Sequence, residues 1–271
     1  MDDKEYSLVE HLADLRTRLS RALIGVVVVS FAAFGVADQL LGFLRRPMEE
    51  ILHAARGPKA NFVVAGAAEY FVCQMKAALV AGLFVASPWV LLQIWRFVAP
   101  GLYDHEKKYV RMFVGAGAFF FCAGGVFCYF VVFPPMFKYL IGMLPADIDM
   151  MPNLEEHFSF ALKMMLGFGV AFQTPVIVFI LSLAGIVDPA TLAKYRRHVL
   201  LISAILGAVL TPGGDPMSMV LLAGPIFVLF ELGVFVSRIT IKVSGKPLDR
   251  KARAAEEAAK AEASTTEPPQ A

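Results

Sequence analysis

Apolar runs long enough to cross a lipid bilayer make up most of this chain. A spanning helix needs about 20 mostly apolar residues. The stretches 22–44, 70–95, 112–137 and 158–186 each meet that length. Two more, 198–210 and 219–239, flank the turn Thr211-Pro212-Gly213-Gly214-Asp215-Pro216. The first of that pair is short for a span. The turn can only return the chain nearby, so the pair reads as a fifth and a sixth span. Every backbone amide in hydrocarbon must be paired internally, which leaves helices or a closed barrel. The runs do not alternate with period two. The expected class is an all-α integral membrane protein with six transmembrane helices.

Composition agrees and excludes several functions. The chain is 58% hydrophobic, too apolar for an ordinary soluble domain of 271 residues. A net charge of +2 provides no basic surface for nucleic acid. There is no Gly-rich phosphate loop, no HExxH and no GxSxG. Cys73, Cys122 and Cys128 fall inside spans without a CxxC pair and read as apolar packing. His11, His53, His105, His157 and His198 lie in loops or at span ends, without metal-ligand spacing, and read as surface residues. No nucleophile, base, metal site or cofactor site emerges, so no enzyme is expected. The charged, amphipathic start of the chain does not read as a cleavable signal.

Six spans put both ends on one side. Placing that side in the cytoplasm assigns 17 of the 25 Lys and Arg residues to inside segments and 5 to outside loops. The positive-inside rule then favours N-in, C-in. The first outside loop, interrupted by Pro47 and Pro58, is the longest and the most basic of the outside loops. Three regions are expected. Residues 1–21 form a cytoplasmic amphipathic segment, with a capping box at Ser7-Leu8-Val9-Glu10 and a stripe of Leu8, Leu12, Leu15 and Leu19. Residues 22–240 form the membrane domain. Residues 241–271, rich in Lys, Glu and Ala, form a disordered tail.

Polar groups inside spans are costly and point to function. Gln173 lies near the middle of the fourth span, just before Pro175. It reads either as an interhelical hydrogen bond beside the kink or as a polar point that meets a substrate or partner helix. Glu231 in the sixth span reads as structural pairing near Arg238 at the inner interface. Lys76 and Lys163 can snorkel to the outer end, the latter about two turns from Glu156. Asp215 reads as the N-cap of the sixth span. Asp14 and Glu106 fall on the inner face. They can pair with Arg16, Arg18, Lys107 or Lys108, the pairing that charge alone favours. They can also bind arginines of an incoming peptide, through bonds worth about 1.5–3 kcal/mol each.

The order and spacing of several motifs add a further expectation. His11-Leu12-Ala13-Asp14-Leu15-Arg16-Thr17-Arg18-Leu19 opens the chain. Ile94-Trp95-Arg96-Phe97-Val98-Ala99-Pro100-Gly101-Leu102-Tyr103-Asp104-His105-Glu106 follows the second span, and Tyr129-Phe130-Val131-Val132-Phe133-Pro134 sits in the third. Leu210-Thr211-Pro212 with Asp215, then Phe230-Glu231-Leu232-Gly233-Val234-Phe235, come late. Together they resemble the TatC family, the polytopic receptor subunit of the twin-arginine protein translocase, over nearly all of residues 7–240.

The resemblance implies a concave, glove-like bundle, N-in and C-in, with short fifth and sixth spans. It implies that the N-terminal region and first inner loop bind the paired arginines of a signal peptide. Asp14, Arg16, Phe97 and Glu106 stand at those positions, with Asp14 replacing the usual glutamate. Gln173 stands where many members carry a glutamate, so hydrogen bonding rather than ionisation is the role expected of it. Gln173 and Glu231 are the expected intramembrane contacts for cargo or partner, and Asp215 matches the aspartate of the outer turn. The implied activity is export of folded proteins across the bacterial inner membrane, driven by the proton gradient. Single-span TatA-like and TatB-like subunits are the implied partners. The alternative, a secondary transporter of a small solute, needs an inverted repeat and midplane ionisable sites; neither is evident.

Overall fold

The first apolar run does not continue as one helix to Leu44. In the computed structural model, which describes residues 8–58, 60–98, 110–145, 151–183, 189–210 and 216–244, α1 (Leu8–Phe34) ends early and a short turn leads into α2 (Ala37–Arg56). Within α2, Ala37, Leu41, Leu44, Met48 and Leu52 are buried. Their spacing of three and four residues makes one apolar stripe. Arg45, Arg46 and Glu50 on the other face are exposed. The segment expected to be the tail of a span and an outside loop is therefore an amphipathic helix. Pro47 removes one backbone bond but does not end it, because Leu44 and Met48 hold the turns on either side. Ser7, half of the expected capping box, lies outside the described residues, as does the tail beyond Ser244.

The remaining helices are α3 (Ala67–Val98), α4 (Val110–Phe127), α5 (Phe133–Gly142), α6 (Leu154–Ala171), α7 (Thr174–Leu183), α8 (Pro189–Lys194), α9 (Arg196–Leu210) and α10 (Pro216–Ser244). Five stretches are long and apolar enough to cross a membrane: Leu12–Phe34, Ala67–Phe97, Met112–Gly142, Leu154–Ser182 and Met219–Ile239. At 15 residues, α9 is the exception. It reaches about 22 Å, against a hydrocarbon core of about 30 Å.

Local sequence accounts for two irregularities. A π-helical turn, Cys128–Val132, joins α4 to α5. Pro134 and Pro135 lack the amides that would bond back to Phe130 and Val131, and the ladder widens so that the Phe133 amide bonds to the Cys128 carbonyl. The break between α6 and α7 falls at Phe172 and Gln173, just before Pro175, where the missing amide interrupts the helix.

Close helix crossings rest on small residues. A Cβ on Gly82 of α3 would lie 2.6 Å from the Ser30 Cα of α1, and one on Gly124 of α4 would lie 2.5 Å from the Phe168 carbonyl oxygen of α6. Phe133, Met136, Phe158, Met164 and Phe168 are fully buried at the centre of the main core. The amphipathic α2 closes one end of this core. The Tyr129 hydroxyl donates to the Phe43 carbonyl at 2.7 Å, and Arg56 donates to the Pro145 and Leu144 carbonyls at 3.0 and 2.8 Å. At the same end, the Val63 amide donates to the Pro152 carbonyl and the Leu154 amide to the Val63 carbonyl, both at 3.0 Å. His157 is only 7% exposed, contrary to its reading as a surface residue. Its ring lies against Phe62, Phe137 and Phe158. Cys73 and Cys128 are buried, while Cys122 is exposed.

Asp38, outside the membrane-spanning stretches, joins α2 to α3. Tyr70 Oη and Gln74 Nε2 each donate to its Oδ1 at 2.7 Å. The Tyr70 bond, and then the Gln74 bond, hold the Asp38 carboxyl below its ordinary range. A depressed folded pKa contributes stability that is complete above the unfolded value, about 3.9, and is lost as pH falls through the folded one. Asp38→Asn is expected to unfold at a lower temperature than the wild type near neutral pH, with the gap closing below about pH 4. Thermal unfolding in detergent across that range checks this. A gap that ignores pH would mean the carboxylate charge is not what the contact uses.

Candidate functional site

Asp14 and Arg16 lie on the N-terminal half of α1, and Phe97 lies at the far end of α3. The two helices pack along one seam. Trp89 Nε1 of α3 donates to the Arg21 carbonyl of α1 at 3.0 Å. Gly25 makes room for that indole, since a Cβ there would sit 2.5 Å from it. Asp14 and Phe97 are half-buried and Arg16 is exposed. The Asp14 carboxylate accepts from Arg18 Nε at 2.7 Å, one turn along α1. This is the internal pairing that charge alone favoured. Such a pair is worth about 0.3–0.5 kcal/mol. A bidentate, charge-assisted pair is worth more, about 1.5–3 kcal/mol. Glu106 lies outside the described residues.

Gln93 is a polar residue the sequence reading missed. It is 2% exposed, one turn before Phe97, and neither atom of its amide has a partner among the described residues. The signal was present: an amide within the apolar run Leu91-Leu92-Gln93-Ile94 is as unusual as the one at Gln173.

Gln173 occupies the turn between α6 and α7. Its Nε2 donates to the Gly117 carbonyl of α4 at 2.9 Å. A Cβ on Gly117 would lie 3.2 Å from Gln173 Oε1 and 3.1 Å from Leu91, so the glycine sets the fit. The amide donor is thus satisfied within the bundle, as the first of its two readings expected. A carboxylate in its place would have no proton to give that carbonyl.

Glu231 of α10 pairs with Arg196 at the start of α9, at 2.6 Å, and not with Arg238. Arg196 and Glu231 belong to adjacent packed helices, whereas Arg238 lies further along α10 itself. Glu231 Oε1 is buried without a partner among the described residues. Asp215 lies outside the described residues.

A further cluster joins α3 to α6. Lys76 does not snorkel freely: its ammonium donates to the Glu155 carboxylate and to Ser159 Oγ, the latter at 2.8 Å. Ser159 Oγ donates to Glu155 at 3.0 Å, and Asn153 caps α6 by accepting the Glu156 amide at 3.0 Å. Beside the cluster is a groove of ≈ 1010 Å³ that also meets Lys163 and Val209. Among the described residues no group of three or more His, Cys, Asp or Glu side chains could hold a metal ion.

The family model of the Sec-independent protein translocase protein (TatC) matches residues 10–225. The chain is 39% identical over 233 residues to the Sec-independent protein translocase protein TatC of Azotobacter chroococcum mcd 1, covering 86% of this chain and 89% of the relative. It is 32% identical to the Aquifex aeolicus (strain VF5) protein of the same name, covering 87% and 96%. A solved structure described as the twin arginine translocase receptor TatC superposes with a TM-score of 0.75 at 31% identity, covering 85% of this chain and 99% of that one.

Proposed function

This chain belongs to the TatC family of Sec-independent protein translocase proteins, and from that premise we propose that it is the membrane receptor for twin-arginine signal peptides of folded cargo. The observation that carries the reading is the Asp14 carboxylate. It is half-buried on the helix that Trp89 ties to α3, and among the described residues it is held only by a weak pair with Arg18. An arginine pair in an arriving peptide displaces Arg18 and adds a second guanidinium for Glu106. Phe97, next to the end of α3, offers an aromatic face on which a guanidinium stacks. Arg16 flanks the site and pairs with acidic groups of the complex.

In this reading both termini are cytoplasmic, α9 is a short fifth span of six, and the bundle is a concave glove in the bacterial inner membrane. The apolar part of the signal lies along the concave face near Gln173. Single-span TatA-like and TatB-like subunits pack on the helices, with Glu231 and Asp215 at the inner and outer ends of the α9–α10 pair. The proton gradient drives transport.

The test compares a peptide bearing Arg-Arg with the same peptide bearing Lys-Lys, bound to the purified protein. Lysine cannot form the bidentate fork, so the arginine peptide should bind more tightly. Equal affinities would remove the receptor reading and reopen that of a solute transporter.

A further inference from the structure

We propose that the groove between α3 and α6 binds the headgroup of a zwitterionic phospholipid that carries a primary ammonium, of the phosphatidylethanolamine class. The inference is independent of the receptor reading, and failure of the peptide test would leave it standing.

Size comes first. The groove is open to one side and offers ≈ 1010 Å³, at the top of the ~300–1,000 Å³ range typical of small-molecule clefts. That is room for a headgroup and the upper part of its chains.

Charge comes second. The polar lining is Lys76, Glu155, Glu156, Ser159 and Lys163, two cations against two anions. Lys76, Glu155 and Ser159 satisfy one another. That leaves the Glu156 carboxylate and the Lys163 ammonium, both exposed and without a hydrogen bond to a described side chain. They stand two turns apart on one face of α6, about 10 Å along its axis. Long side chains that lean toward each other close most of that separation. A phosphate on Lys163 and an ammonium on Glu156 match this pattern, whereas a purely anionic headgroup leaves Glu156 opposed.

Depth comes third. Lys76 and Lys163 each lie about 13 Å into helices that begin at Ala67 and Leu154. Charges at that depth are costly against hydrocarbon unless a polar partner reaches them. Leu162 and Leu166 supply apolar wall for acyl chains, and Val209 of α9 forms the remaining rim. Because α9 falls short of the full thickness, a headgroup can settle into the recess beside it.

The full chain, purified in detergent, is offered equal concentrations of phosphatidylethanolamine, phosphatidylcholine and phosphatidylglycerol, and bound lipid is read by native mass spectrometry. Phosphatidylethanolamine should be retained about tenfold over phosphatidylglycerol, the effect of one charge-assisted contact. Phosphatidylcholine should be held less well than phosphatidylethanolamine, because its ammonium has no proton to donate. Glu156→Gln should remove the preference and Lys163→Met should weaken retention of all three lipids alike, each leaving the unfolding temperature unchanged, since both side chains are exposed. Equal retention of the three lipids, preference for the anionic one, or a preference that survives Glu156→Gln would overturn the proposal. The last pattern is what lipid bound elsewhere would give if a second copy of the chain filled the groove.

Discussion

Glu106→Ala should bind an Arg-Arg signal peptide roughly ten- to a hundredfold more weakly than the wild type, and should no longer distinguish it from the Lys-Lys form. That range is one lost charge-assisted, bidentate contact of about 1.5–3 kcal/mol. Asp14→Ala should lose less. In the free protein its carboxylate already holds Arg18, and part of what the peptide gains there is spent on displacing that arginine. Asp14→Glu should restore binding, because the charge is kept and the reach is longer. Titration of the purified protein with fluorescent peptides at two salt concentrations separates the effects. Simple charge attraction is screened by salt, whereas the arginine preference comes from the fork and should survive. A Glu106→Ala protein that still prefers arginine would remove Glu106 from the site while leaving the family assignment untouched.

Gly124→Val should destabilise the bundle strongly. A Cβ at Gly124 meets the Phe168 carbonyl oxygen at 2.5 Å, its carbon at 2.8 Å and the Gly169 Cα at 2.9 Å. All three are backbone atoms, so no rotamer change relieves the overlap, and α4 must move away from α6. Overpacking of this kind costs about 1–3 kcal/mol even where side chains can yield, and here they cannot. The loss propagates, because Phe168 is fully buried in the main core. Gly115→Val is the control: a Cβ there meets nothing within 4 Å. Thermal unfolding in detergent should show a large fall for the first and little change for the second. Equal shifts would mean that the crossing is looser than its geometry.

Resemblance in sequence carried further for function than apolar patterning did for structure. The motifs around Asp14 and Phe97 fall on α1 and α3, which the Trp89 indole and Gly25 hold together. Patterning placed the apolar helices at 70–95, 112–137, 158–186 and 219–239, because runs of that length have few other uses. It failed at 37–56, where Leu41 and Leu44 read as a continuing span. Their alternation with Asp38, Arg45, Arg46 and Glu49 is a helical period, but only a core to lie against turns that period into a cap. His157 was misread for the same reason: its burial comes from Phe62 and Phe137, which are distant in sequence. Glu231 was matched with the arginine nearest in sequence, whereas the packing of α9 on α10 brings Arg196 closer.

By itself, the sequence determined the solvent, the helical class and the family. Each depends on composition, local backbone chemistry or a linear motif, and none needs to know which helix neighbours which. Tertiary structure decided which charges meet: Lys76 with Glu155, Arg196 with Glu231, the Gln173 amide with the Gly117 carbonyl. In a medium of low polarity an ionised group takes whatever partner the crossing helices bring within reach, and those crossings are set by where glycine lets backbones touch.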